Sequence, residues 1–431
     1  MKGEKSSKSH NHRKPSRRRY TILPAIITFC VLAWYVNRTP SDVESTKTGD
    51  AIIRQAAAKQ LTKDPNNPKD PDDLTDADFS QLIKFRINGL ELIHTKGSSN
   101  SRLVILRPTN FHSLSNIRIL EKFTNLRELE LSYVFYPEKN IPPWIKILGS
   151  LGVIDLEKSF SFDLRCLENL TNLTQLNLRY TTIKNIEPLA NLTNLEKLDL
   201  SSTLVSDLKP LRTLKNLLIL DIAGTDVSDA GPLMELTNLQ ELNISNTQVS
   251  DIEPIKRLMN LQSINIRLTD VFNLEQLRGH TNLKELYIEE TQISDLGPIK
   301  GLINLRVLAL NDTQVFNIEP LGELSNLETL NISNTRIYSL EALRGSKNLQ
   351  KLFINNTLVS DIEPLRQLSN LRELYLNWTQ ITNLEPLKKL KNLKVLSIGE
   401  CKNITDEQAE DFRRALPELK IMYFPKRKIL S

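Results

Sequence analysis

The sequence predicts an α/β solenoid: one chain wound in stacked coils, with a parallel sheet along one wall and short helical turns along the other. Three observations carry that prediction. Residues 170–389 divide into ten units of 22 residues without an insertion, beginning at 170, 192, 214, 236, 258, 280, 302, 324, 346 and 368. Within a unit seven positions are almost always aliphatic, too many and too evenly spread for one helix face or one sheet face. The chain has 431 residues, enough for two or three ordinary domains, but a stacked array lengthens along one axis and needs no separate cores.

The unit at 236–257, "LTNLQELNISNTQVSDIEPIKR", shows what each letter does. Leu236, Leu239, Leu242, Ile244, Val249, Ile252 and Ile255 can all point inward only if the unit closes into a coil. "ELNIS" alternates, which makes it a short strand with Leu242 and Ile244 inside and Glu241, Asn243 and Ser245 outside. Stacking then pairs each strand with the next in parallel. Asp251 stands where its side-chain oxygen can cap a helical turn. Pro254 follows three places on, inside the first turn, where a missing N–H costs nothing. Asn238 and Thr247 recur in all ten units, and both are expected to form hydrogen-bonded ladders from coil to coil, because the turns leave backbone groups to satisfy.

Less regular coils extend the array. Residues 148–169 fit the 22-residue frame, 123–147 carry three extra residues around "IPPW", 101–122 match only in their second half, and another coil opens at Leu390. The expected organisation is a basic tail (1–19), a hydrophobic anchor (20–36), a polar stalk (37–71), an N-terminal cap with a degenerate first repeat (72–122), the repeats (123–400) and a C-terminal cap (401–431). "DDLTDADFSQLIKF", 72–85, has an acidic start and helical spacing at Leu74, Phe79 and Leu82, so a capping helix is predicted there. An array needs such a cover on its apolar end.

The net charge of +5 conceals an uneven distribution. Eight basic residues against Glu4 give the first twenty residues +7, which leaves about −2 for the rest. A nearly neutral body excludes a nucleic-acid groove, and no nucleic-acid partner is expected. After "RKPSRRR" comes "YTILPAIITFCVLAWYV", 17 residues without a charge. This predicts one transmembrane helix acting as a signal-anchor, with a cleaved signal peptide as the alternative. The positive flank places the N-terminus in the cytoplasm and the repeat domain outside it, in a periplasmic or extracellular space. Residues 20–36 thus make the membrane an expected partner. Cys30 lies in that segment, and Cys166 and Cys401 stand about eleven coils apart, roughly 50 Å at the strand spacing. They cannot bond to one another.

The pattern "LTNLxxLxLSxTxVSDIxPL" resembles the 22-residue leucine-rich repeat of bacterial internalins, and less closely that of phosphatase-regulating subunits of the same repeat length. The likeness spans roughly residues 101–400. It implies a right-handed solenoid with the sheet on the concave face and the helical turns on the convex face. It also implies a scaffold for protein–protein interaction. Internalins usually carry Asn where this chain has Thr247 and its equivalents, and they are held at the C-terminal side. "ITDEQAEDFRRALPELKIMYF", 404–424, resembles the helix-then-strand ending of many bacterial repeat proteins.

In that geometry the outward strand positions form rows across successive coils. One row reads Asn177, Asp199, Asp221, Asn243, Asn265, Tyr287, Ala309, Asn331, Phe353, Tyr375, Ser397, so a polar half gives way to aromatics. Phe353, Tyr375 and the nearby Trp378 form the first candidate partner-binding patch, since hot spots gather Trp, Tyr and Arg. The competing explanation is that aromatics favour strands and pair across them. Arg179 with Tyr180, and Arg267 near Tyr287, Glu289 and Glu290, are two further patches. Phe272, Phe316 and Tyr338 replace a mostly Ser position and are expected to pack against the turn wall.

No catalytic constellation is legible. His10, His12, His94, His112 and His280 are scattered, no pair has zinc spacing, no glycine-rich turn precedes a helix, and no Ser, His and carboxylate set emerges. The expectation is a non-enzymatic, membrane-anchored scaffold with no catalytic residues, no metal site and no cofactor. Its partner is a protein ligand, with a glycan as the alternative. A structural envelope protein and a phosphatase-type regulatory scaffold are the rival functions.

Overall fold

The computed structural model describes residues 84–86, 126–130, 164–416 and 419–422. The tail, the 20–36 segment, the stalk and most of the N-terminal cap lie outside the described residues. Among the described residues no helix is long and apolar enough to cross a membrane.

Among the described residues fourteen parallel strands of three residues form one sheet in chain order. They are β1 (Lys84–Arg86), β2 (Glu128–Glu130), β3 (Gln175–Asn177), β4 (Lys197–Asp199), β5 (Ile219–Asp221), β6 (Glu241–Asn243), β7 (Ser263–Asn265), β8 (Glu285–Tyr287), β9 (Val307–Ala309), β10 (Thr329–Asn331), β11 (Lys351–Phe353), β12 (Glu373–Tyr375), β13 (Val395–Ser397) and β14 (Lys420–Met422). From β3 to β13 the register advances by one repeat, so that Leu242 faces Ile264 and Phe353 faces Tyr375. The opposite wall carries short 3-10 turns, such as Glu253–Arg257 and Glu363–Gln367, with proline in the first turn. The predicted parallel sheet and helical turns are both present.

Between the walls runs one continuous apolar core. Leu236, Leu239, Leu242, Ile244, Val249, Ile252 and Ile255 are each at most 2% exposed, and the equivalent residues of the other coils join them. Burying each such side chain stabilises by about 1.5–3 kcal/mol relative to exposure. No coil can realise that gain alone, because half of its core surface faces the next coil.

The polar letters divide into three devices. Asp251 accepts the backbone N–H of Glu253 at 2.8 Å, and the same bond recurs in each unit, with Ser339 Oγ serving Glu341. Asn238 donates from its amide to the carbonyl of Lys215 in the preceding coil, and this ladder climbs through Asn392. The expectation for Thr247 is corrected. Its hydroxyl donates to Ile244 O, three residues back in its own coil, and all ten equivalents from Thr181 to Thr379 do likewise. Ile244, the buried residue just past the strand, leaves a carbonyl at the corner, and a hydroxyl at that reach satisfies it locally.

One further correction concerns the N-terminal side. Lys84 and Phe85, expected at the end of a capping helix, lie in β1 and pair with Glu128 and Leu129. β2 pairs with β3, Glu128 against Gln175, and residues 131–163, with most of the coil expected at 148–169, lie outside the described residues. At the other end, α1 (Asp406–Ala415) starts with a reciprocal cap between Thr405 and Gln408, and β14 follows it along β13.

Candidate interaction surface

The sheet face is built from positions 6, 8 and 10 of each coil, counting Leu236 as position 1. At position 8 the polar residues have a structural task that sequence reasoning missed. Asn243 Oδ1 accepts the backbone N–H of Ser245, and Asn177, Asp199, Asp221, Asn265 and Asn331 serve their own coils in the same way. The signal was the Asn/Asp preference itself, which is that of a side chain bonding the backbone two residues on.

An aromatic at position 8 cannot make that bond. Where Phe353 and Tyr375 replace it, a second ladder appears. Ser333 Oγ accepts the N–H of Asn355, Asn355 Oδ1 accepts the N–H and the amide of Asn377, and Asn377 Oδ1 accepts the N–H of Gly399. The two rings stack with centroids 4.7 Å apart and planes 9° from parallel. Beside them Lys351 and Glu373 pair at 2.9 Å, and the Tyr375 hydroxyl lies 3.4 Å from Glu373. Burial and then the Glu373 charge hold the Tyr375 phenol above its ordinary range.

Trp378 stands at the corner just past this pair, at position 11. All eleven coils from Tyr180 to Glu400 place this position in the left-handed backbone region, ten of them with a residue other than glycine. The conformation costs a bulky L-residue about 1–2 kcal/mol. Asn at 246, 334 and 356, or Gly224, suits it. Trp378, at φ 56°, does not, and its side chain is 61% exposed.

The other predicted residues lie apart. Arg267 reaches across one coil to Glu290 Oε1, with Nη2 at 2.6 Å and Nε at 3.2 Å. Tyr287 donates to Glu285 at 3.2 Å, and burial followed by the Glu285 charge pushes its phenol up to about 12. Burial raises the Glu289 carboxyl, opposed by its own backbone N–H and by Arg267; its Oε2 is buried without a hydrogen-bond partner. This patch lies three strands below Phe353, about 14 Å at the strand spacing. Arg179 and Tyr180 form a third patch five strands further down. There Arg179 lies over the Tyr180 ring at 4.5 Å and donates to its hydroxyl at 2.8 Å. The structure therefore brings together Phe353 and Tyr375, with Trp378 at their margin, and leaves the other two patches separate.

The reading of Phe272, Phe316 and Tyr338 is corrected as well. They are 62%, 56% and 64% exposed and do not pack against the turn wall. Position 15 points outward from an extended segment whose positions 12 and 14 take the inward places.

Comparison with known proteins agrees with this architecture. The family model for leucine-rich repeats in two copies matches residues 171–213, 325–367 and 369–413. Among solved structures, the internalin inlF of Listeria monocytogenes superposes with a TM-score of 0.70 at 24% identity, covering 90% of this chain and 100% of that one. A leucine-rich-repeat protein of Leptospira interrogans gives 0.55 at 20% identity, covering 70% and 91%. The internalin inlC2 of Listeria monocytogenes is 30% identical over 48% of this chain and 83% of its own, with a TM-score of 0.38. No match was found among the curated proteins. Stacked coils around one core, with the family model matched over these three stretches, give the chain a leucine-rich-repeat fold. That fold is similar to the one of the internalin inlF.

Proposed function

We propose that the chain is a non-enzymatic recognition scaffold, tethered to a membrane through residues 20–36 and presenting its sheet face to a protein ligand outside the cytoplasm. The observation that carries this reading is Trp378. An exposed indole at a backbone corner that disfavours it serves neither the core nor the turn, and such local cost is a mark of functional positions. Beside it the Phe353–Tyr375 stack offers a rigid apolar platform, bordered by the amides of Asn355 and Asn377. Large aromatic anchors ringed by polar groups suit a protein hot spot; the same amides suit the hydroxyls of a glycan, which is the alternative partner.

The test uses the full-length chain from detergent-solubilised membranes. Phe353→Ser, Tyr375→Ser and Trp378→Ser are combined, partner capture is followed by mass spectrometry, and the bait's own N-terminus is sequenced. Loss of capture with an unchanged melting curve supports recognition by this patch. Unchanged capture moves the reading to a structural envelope role, and recovery of the chain from a soluble cytosolic fraction favours the phosphatase-type scaffold.

A further inference from the structure

A second surface runs along the edge of the solenoid where the chain leaves the sheet, at positions 11 to 15. There the burial alternates, with 11, 13 and 15 outward and 12 and 14 in the core. In the coils from 170 to 257 these outward sites are mostly small or polar, with serine at position 15 in three of the four. From 258 to 389 polar residues still fill twelve of the eighteen sites, but large apolar side chains take the other six. Phe272, Phe316, Tyr338, Leu358 and Trp378 are 62%, 56%, 64%, 50% and 61% exposed.

Their placement is ordered. Phe272, Phe316 and Tyr338 share position 15 and form a column, interrupted only by Ser294. Tyr338, Leu358 and Trp378 are then spaced by 20 residues in a 22-residue coil, so each lies one coil further along the array and two residues nearer the sheet. At about 4.8 Å per coil and about 6.6 Å per pair of extended residues, the column and the stair together run roughly 30 Å. That is the length of a helix of about 20 residues. Isolated exposed apolar residues need no explanation, but several aligned along one edge point to a contact site.

Along this edge carboxylates outnumber basic residues. Between Leu268 and Asn383 positions 11 and 13 expose Asp270, Asp312 and Glu290, which Arg267 engages from the sheet face, and the adjoining position 16 exposes Asp295 and Asp361, which also accept the N–H of Gly297 and Glu363. Arg336 is the single basic residue at those positions. An apolar band set in carboxylates repels acidic surfaces and complements apolar residues flanked by lysine or arginine.

From this we infer that the edge from Phe272 to Trp378 docks a cationic amphipathic peptide segment about 20 residues long. The inference stands on different residues from the sheet-face patch, and only Trp378 belongs to both. A partner that wraps from edge to face would use it as the corner.

The test uses the full-length chain in zwitterionic nanodiscs and two fluorescent helical 20-mers, one of leucine and lysine, the other with glutamate replacing every lysine. Empty nanodiscs supply the background. The lysine peptide is expected to bind at least tenfold more tightly than the glutamate peptide, with binding weakened by salt. Phe316→Ser, Tyr338→Ser and Leu358→Ser combined are expected to weaken it at least tenfold, with melting unchanged because all three sites are exposed. Phe353→Ser with Tyr375→Ser is expected to change it less than twofold. Equal binding of the two peptides, or full binding by the edge variant, overturns the proposal. So does edge-dependent self-association of the chain in sedimentation, which would make a second copy the occupant.

Discussion

Asn355 Oδ1 accepts both the backbone N–H and the side-chain amide of Asn377, at 3.0 and 2.8 Å, across the boundary between two coils. The bond exists because Tyr375 has taken the place of the residue that would otherwise have capped that N–H from within its own coil. The aromatic platform and the asparagine ladder beside it are therefore one design. Asn355→Ala leaves both donors of Asn377 partly buried without an acceptor and is expected to cost about 1–3 kcal/mol in denaturant unfolding. Asn355→Asp keeps the acceptor and should retain most of that stability.

The corner threonines predict the opposite kind of behaviour. Thr247→Val and Thr269→Val each remove a hydroxyl bonded only within its own coil, at a cost of about 1 kcal/mol. Because the two bonds share no partner, the double variant should sum the single ones to within about 0.5 kcal/mol. A large coupling energy would restore the coil-to-coil reading of threonine.

At Trp378 stability and recognition should part company. Trp378→Asn is expected to raise stability by roughly 0.5–1 kcal/mol, since Asn tolerates the left-handed corner, while Trp378→Val should lower it. Thermal melting reads the first effect, and partner capture should fall in both variants. A destabilised Asn variant would show that the indole packs in a way that supports the fold.

His280 fills a slot held by leucine in most coils and is fully buried. Its Nε2 lies 3.1 Å from Ile255 O, which also accepts the N–H of Leu258, and its Nδ1 has no hydrogen-bond partner. His280→Leu therefore removes a buried polar atom without orphaning the carbonyl, and about 1 kcal/mol of added stability is expected at neutral pH.

The Glu289 carboxyl gives a pH signature of known sign. Burial raises its folded pKa above the unfolded value, so the folded state holds the proton more firmly and stability falls as pH rises through that interval. Glu289→Gln should flatten this slope, stabilising the protein at neutral pH and changing little in acid. Unfolding curves between pH 4 and 8, compared for the two proteins, check it.

Much of the fold was legible because its instructions are repeated. Ten copies of the same seven aliphatic sites leave one solution, and Asp251, Pro254 and Asn238 act as their chemistry suggests. Thr247 was misread because invariance tells that a hydroxyl is needed but not whether its acceptor lies along the chain or across it. The aromatic pair was legible from the row alone. The exposure of Phe316 and Tyr338 was not, since an aromatic beside a turn packs or projects according to a backbone direction that the letters do not state. Before residue 170 there was the least repetition to average over, and there Lys84 and Phe85, read as the end of a helix, lie in a strand.

The threonine hydroxyl closing on its own coil has a consequence for how such a chain changes over generations. A winding that carries its own fastening can be excised or duplicated as a block, and the severed neighbours meet core positions of the same kind as those they lost. Reach can then be altered in increments of one turn, without reinventing either end.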